Sequence, residues 1–361
     1  MINRKAFLAL AAALFAIVSA MPAAAQLQIN GAGATFPYVL YSKWFEVYKN
    51  KTGIQFNYQS IGSGGGIKQI TEGTVDFGAS DGAMTDEQIA TAKSKQGRDI
   101  LHIPMTLGAV VLTFNVPGVT TKLKLKPAVI PDIFAGIIKK WNDPRIKESN
   151  PGVTLPDMAI IVVHRSDGSG TTAIFTDYLC KVSGYWQKTY GKGTSVNWAQ
   201  GTLGAKGNEG VAGQVKQTKG SIGYVELAYA VQNKLEYAEI QNKSGKYVLP
   251  TIDAVTEAAN GSLVNIPADL RASITDPDKG GYPIAGMTWL LIYNDQKDQA
   301  KGKAIVDFLQ WAIKDGQAFC KDLHYAPLPQ KVVDLCMKKI GEIGFGGKPY
   351  ITPVAGKGGK K

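Results

Sequence analysis

The chain has 361 residues, 45% of them hydrophobic and 19% charged, and a formal net charge of +11. Such a length exceeds what one hydrophobic core usually organises, so two domains are expected. Arg4, Lys5 and residues 338–361, which hold six lysines against one glutamate, carry most of the excess charge. The body is therefore only weakly basic, which argues against nucleic acid as a partner.

Met1 to Ala25 has a basic start, an apolar stretch from Ala6 to Val18 and small residues at Ala23, Ala24 and Ala25. This is the layout of a secretory signal peptide cleaved near Ala25, and it implies an exported product with the periplasm as its address. No cysteine stands beside the cleavage site, which argues against a lipid anchor. No later run reaches the roughly 18 apolar residues of a membrane span.

The mature chain alternates strand and helix patterns, the signature of an α/β protein with largely parallel sheets. A short strand over 27–29 leads into Gly31 to Pro37, and Leu40, Trp44, Val47 and Tyr48 then recur at helical spacing as far as Gly53. Thr35 reads as that helix's cap, with Pro37 in its first turn. The pattern over 54–61 alternates like a strand, stops at a Gly-rich loop over 62–66, and gives way to a short helix over 67–71. A strand over 75–79 ends at Ser80 and Asp81, and Thr85 with Gln88 forms a capping box for the next helix. The same grammar returns as a strand over 159–163, a loop over 164–170 and a helix from Thr171 through Leu179.

Four stretches, at Thr35, Ser63, Asp81 and Arg165 to Thr171, thus sit where a strand hands over to a helix. Ligands bind at that end of open α/β sheets. Helix N-termini and Gly-rich turns present N–H groups to anions, hydroxyls of Thr35, Ser63, Ser169 and Thr171 add donors, and Arg165 adds a full positive charge. Each residue has a plainer reading too: Ser63 in a flexible turn, Ser169 and Thr171 as helix caps, Arg165 in a surface ion pair, Asp81 as a capping or salt-bridged surface acid.

Cys320 and Cys336 are near enough in sequence to close a disulfide loop worth about 3 kcal/mol in the chain-entropy model, and three buried thiols including Cys180 are the alternative. His102, His164 and His324 share no ligand spacing with a cysteine, so no metal is expected, and no cofactor motif is present. The final stretch "GFGGKPYITPVAGKGGKK" reads as a frayed, solvated tail, flexible at least over 351–361.

The segments "GAGATFP" at 31–37, "IGSGGGIKQI" at 61–70, "TVDFGASD" at 74–81, "RSDGSGTT" at 165–172, "GAKGNEGVAG" at 204–213 and "GSIGYVELAYA" at 220–230 resemble, in order, the phosphate-binding proteins of bacterial high-affinity phosphate ABC uptake systems. The resemblance runs from about residue 28 to residue 335. It implies the periplasmic solute-binding fold, two α/β domains with mixed sheets and a hinged ligand cleft. Domain I would comprise 26–109 plus 285–350 and domain II 110–284, with crossovers near 105–115 and 283–291. It further implies a monomer that binds inorganic phosphate and delivers it to membrane permease and ATPase subunits, with no catalysis.

The ligand contacts implied are Thr35, Phe36, Ser63, Asp81, Arg165, Ser169, Gly170 and Thr171, with Asp167 bracing the arginine. Gly64 replaces a second serine found in many relatives, and His164 an arginine found in some. Asp81 is the residue that fits an anion worst, unless the ligand carries a proton to donate to it; phosphate does so near neutral pH and sulfate does not. Another oxyanion (sulfate, molybdate or a phosphonate) is the nearest alternative ligand, since N–H cradles do not identify a central atom. A secreted phosphatase would also want Arg165, and "DGSGT" superficially resembles aspartyl-phosphate loops. The chain lacks a Walker-type lysine, a second acid close to Asp167 for Mg²⁺ and an assembled Ser/His/Asp set.

Overall fold

A computed structural model describes residues 27–351; residues 1–26, with the expected signal peptide, and the last ten residues lie outside the described residues. The main sheet contains β1 (Gln28–Gly33), β2 (Gln55–Ser60), β3 (Phe77–Ser80), β4 (Ile100–Asn115), β5 (Ile161–Arg165), β6 (Leu203–Ala205), β7 (Ser221–Glu226) and β8 (Ala285–Tyr293). Its order is β2-β1-β3-β8-β4-β7-β5-β6, with Glu236–Tyr237 as a ninth strand beside β4. Each flank is parallel, β2-β1-β3 on one side and β7-β5-β6 on the other. The long antiparallel strands β8 and β4 join them.

The 16-residue strand β4 changes partner partway along. Ala109 pairs with Ala285 of β8, whereas the next residue, Val110, pairs with Glu226 of β7. Strand β4 is buried along nearly all its length, consistent with its near-continuous apolar sequence.

The helices that position the site are α1 (Tyr38–Thr52), α2 (Ser63–Glu72), α3 (Asp86–Gln96), α4 (Gly170–Val182), α5 (Gly207–Gln217) and α6 (Leu227–Gln232), followed by α7 (Gln299–Ile313) and α8 (Gln330–Ile340). Beneath α1 and α7, Phe45, Phe56 and Phe308 stack closely, the Phe56 and Phe308 centroids 4.5 Å apart. On the other flank Phe175 sits between Tyr224 at 4.6 Å and Phe134 at 4.7 Å. These aromatic cores fix the strand ends from which the site is built.

Several local expectations are corrected. The first helix begins at Tyr38, whose N–H bonds to the Thr35 carbonyl at 3.2 Å, but the Thr35 side chain does not cap it. The glycines over 64–66 lie inside α2 rather than in a loop. A Cβ at Gly66 would stand 2.6 Å from the Gly33 Cα, so glycine is required there for helix-to-strand contact and not for flexibility. Gly344–Phe345 and Lys348–Pro349 pair as a small hairpin, so this part of the expected tail is folded.

Cys320 and Cys336 are both buried and both free, so the proposed disulfide does not form. Each sulfur has its own partner on β4: Cys320 Sγ lies 3.6 Å from Thr106 Oγ1, and Cys336 Sγ lies 3.5 Å from the Pro104 carbonyl. The Thr85–Gln88 capping box is present as read from the sequence.

Candidate functional site

The C-terminal ends of β1, β3 and β5 and the N-termini of α2, α4 and α5 meet at one buried point. Gly33, at the end of β1, has φ 148°, and a Cβ there would run into the Ala79 carbonyl, so only glycine lets β1 and β3 approach. Thr35 and Phe36 follow, exposed by 2% and 0%. Tyr229 donates its hydroxyl to the Thr35 carbonyl at 2.6 Å, and Tyr325 donates to the Phe36 carbonyl at 2.7 Å. In a trans peptide the N–H points opposite to the C=O, so pinning the Thr35 carbonyl directs the Phe36 N–H toward the other side.

Ser63 opens α2, and its Oγ accepts the Asp81 N–H at 3.2 Å. Gly62 before it has φ 87°, and any side chain there would collide with the Asp167 carboxylate. Gly64 N–H donates to the Gly168 carbonyl at 2.8 Å, which ties α2 to the loop after β5. Glycine at 64 eases this close approach, since a Cβ would lie 3.0 Å from the Gly168 Cα.

Asp81 is buried, not a surface acid. Its Oδ1 accepts the Thr288 hydroxyl at 2.8 Å, while Oδ2 has no partner among the described residues. Burial pushes its pKa up to about 7 against the opposing pull of Thr288, the Arg165 charge and Ser63. A Cβ on Gly170 would stand 2.5 Å from both Asp81 Oδ2 and Ser63 Oγ. That triple approach brings β3, α2 and α4 into one cradle.

Arg165 ends β5 with its side chain 1% exposed. Asp167 grips it bidentately, Nε to Oδ1 at 2.7 Å and Nη2 to Oδ2 at 2.5 Å, while Nη1 reaches toward Thr171 Oγ1 at 3.5 Å. Asp167 Oδ1 also accepts the Gly207 N–H at 3.1 Å. Burial works to raise the Asp167 pKa, but the Arg165 hydrogen bonds and charge, with Gly207, hold it below the ordinary carboxylate value. The guanidinium is thus fixed on one edge and leaves Nη1 facing the cradle.

Ser169 caps α4 by accepting the Thr172 N–H at 3.0 Å, so the capping reading holds for this residue, and its hydroxyl proton is still free to donate. His164 stacks on Trp198 at 5.0 Å, and burial lowers its pKa, so it stays neutral and adds no charge.

All eight contact residues implied by the resemblance are buried around this point, with Asp167 behind Arg165. Five further residues were not singled out from the sequence. Asn208 donates Nδ2 to Thr35 Oγ1 at 2.7 Å and to Thr171 Oγ1 at 3.0 Å. Tyr229, Tyr325 and Thr288 position the groups already described. Glu226 is fully buried at the junction of β4 and β7, with Oε2 accepting Ala228 N–H at 2.8 Å and Oε1 unpartnered among the described residues. Burial pushes its pKa well above the carboxylate range, aided by the Asp81 charge and opposed by the Ala228 N–H that it accepts. Asn208, Glu226 and Tyr229 lie in the "GNEG" and "YVELAY" segments, where the resemblance was visible but no chemistry was assigned to them.

Beyond Asp81 a cavity of about 340 Å³ opens between Thr85 and Arg271 on one side and Ile174 and Asp177 on the other. Among the described residues no cluster of three or more His, Cys, Asp or Glu side chains has the arrangement to hold a metal ion.

A family model described as a PBP superfamily domain matches residues 18–315. The phosphate-binding protein PstS of Pasteurella multocida is 46% identical over 307 residues, covering 84% of this chain and 87% of that protein. The phosphate-binding protein PstS of Haemophilus influenzae is 43% identical and covers 87% of this chain and 92% of its own. A high affinity periplasmic phosphate-binding protein solved with bound phosphate superposes with a TM-score of 0.71 at 22% identity, covering 90% of this chain and 100% of that one. A phosphate-binding protein from Stenotrophomonas maltophilia superposes with a TM-score of 0.65 at 19% identity, covering 86% and 93%. The solved structures show a shared solute-binding fold, and the sequence identities over most of both chains show more: this chain belongs to the PstS family of phosphate-binding proteins.

Proposed function

We propose that this protein binds inorganic phosphate in the cradle around Arg165 and delivers it, in the periplasm, to an ABC-type import permease with its ATPase subunits. The observation that carries the reading is the convergence on one buried point of a braced guanidinium, three helix N-termini and the Thr35, Ser63, Ser169 and Thr171 hydroxyls. The unpartnered Asp81 Oδ2 favours a protonated oxyanion, hence phosphate over sulfate. No helix among the described residues is long and apolar enough to cross a membrane.

Two lobes, one of residues up to 109 plus 285–350 and the other of 110–284, would close over the ligand. The partner switch of β4 between Ala109 and Val110 supports a hinge there. Binding without catalysis is the better reading because Asp167, the acid that a phosphatase would use, has both oxygens engaged by Arg165 and Gly207.

Calorimetric titration of Arg165→Ala tests the reading. Loss of the charge that faces a desolvated anion should weaken phosphate by about 2–5 kcal/mol, thirty-fold to several thousand-fold. An affinity equal to the wild type would place the ligand elsewhere.

A further inference from the structure

Thr35 and Thr171 come from opposite sides of the cradle, and one side chain touches both. Asn208, the second residue of α5, is fully buried. Its Oδ1 accepts the Glu226 backbone N–H at 2.9 Å. A backbone N–H only donates, so this bond fixes which end of the carboxamide is oxygen and turns Nδ2 toward the two threonines.

A threonine hydroxyl has two acceptor positions and one proton. Thr35 Oγ1 accepts from Asn208 Nδ2 at 2.7 Å and from the Asn208 backbone N–H at 3.2 Å, so both its acceptor positions are filled. Thr171 Oγ1 accepts from Asn208 Nδ2 at 3.0 Å and from Arg165 Nη1 at 3.5 Å. Neither hydroxyl donates its proton to any described residue. Each is left with one free proton and no free lone pair, which is the state that suits an anion.

We propose that Asn208 is the positioning residue that orients both hydroxyl protons into the cradle, making Thr35 and Thr171 obligate donors to the bound oxyanion and linking the two lobes through one carboxamide. The proposal rests on the phosphate-binding reading and deepens it. A hydroxyl left free to rotate would spend part of its time presenting a lone pair to the anion; Asn208 removes that repulsive orientation on both sides at once. The same residue also couples closure to binding, because its bonds to Thr35 form only when the lobes meet.

The test is a mutant cycle read by calorimetry with phosphate, sulfate and molybdate, each protein's melting temperature being checked without ligand. Asn208→Leu should weaken phosphate by about ten- to hundred-fold, as expected for losing the ordering of two hydrogen bonds to a charged group. In a Thr35→Val plus Thr171→Val background, the same Asn208→Leu change should cause no further weakening, because the hydroxyls it acts through are gone. An equal fold-loss in both backgrounds, or no loss in the wild-type background, overturns the proposal.

Should Asn208→Leu fail to fold, Asn208→Asp serves in its place. It keeps the shape and the bond to Glu226 N–H, yet offers the threonines an acceptor, so wild-type affinity in that variant also overturns the proposal. If the wild type takes sulfate or molybdate but not phosphate, the phosphate reading fails while the cycle, run with the anion that binds, still decides the role of Asn208. Absence of binding by all three anions refutes both.

Discussion

Asp81 sets a buried carboxyl group among anion-attracting neighbours, and in the proposed site its protonation would decide which anions can enter. Burial holds its pKa near 7 in the ligand-free cradle. Above that value Oδ2 is an acceptor that repels sulfate but accepts a hydrogen bond from a phosphate O–H; below it the carboxyl can itself donate to sulfate. Sulfate should therefore compete on the order of ten- to hundred-fold better at pH 5 than at pH 8, and Asp81→Asn should compete well at both. Titrations that show flat sulfate exclusion across that range in the wild type would remove Asp81 from selectivity. The same shift has a stability consequence with a definite sign. A folded-state pKa raised above the unfolded value of 3.8 gives stability that is full below about pH 4 and lost as pH rises through about 7. The melting temperature of the ligand-free protein should fall over that window, and less so in Asp81→Asn. Arg165, Asp167 and Asp81 were legible in the sequence because charges stood out in Gly-rich stretches. Asn208 was not, since a neutral carboxamide carries no such mark and its partner Thr35 is 173 residues away.

Helix N-termini bring the cradle's parts together, and glycine decides how closely. Gly170, at the start of α4, has an ordinary φ, so alanine fits its backbone, but the added Cβ would stand 2.5 Å from Asp81 Oδ2 and Ser63 Oγ. Gly170→Ala should lower the melting temperature of the ligand-free protein and weaken phosphate at least ten-fold, because the methyl must displace the buried Asp81 and Ser63 side chains or hold the lobes apart. Calorimetry and thermal melting together check this; unchanged affinity would mean that α4 does not face the ligand. Element patterns were read well where the cue was local, as at the Thr85 capping box. They failed where contact across the fold overrode it. Gly64 and Gly66 have low helix propensity and read as a loop, but they are helical because α2 must press against Gly168 and Gly33. Thr35 read as a cap, but its hydroxyl is drawn instead to Asn208.

At the scale of the whole molecule, the lobes proposed to hinge about β4 and β8 are held together by specific bonds. Among the described residues these include Gly64 N–H to Gly168, Asn208 and Tyr229 to Thr35, Arg271 to the Met84 carbonyl and Asp86, Trp289 Nε1 to the Leu270 carbonyl and Lys331 Nζ to the Val264 carbonyl. An anion that adds bonds from both sides should shift the population toward the closed form. Small-angle scattering should show a smaller radius of gyration on saturation with phosphate, and proteolysis should slow; an unchanged radius would argue against hinge closure. The alternation of strands and helices along the chain and the cradle's location at strand-to-helix turns were readable from local patterns, whereas the order of strands in the sheet, its antiparallel centre and the β4 partner switch needed the three-dimensional pairing of distant strands. The central claim, a proton-sensing phosphate site, is tested most directly by calorimetric titration of the wild type at pH 8 with phosphate and then with sulfate. The account expects one tight site per chain for phosphate and no competing heat from sulfate; sulfate binding as strongly as phosphate, or no phosphate heat at all, would contradict it.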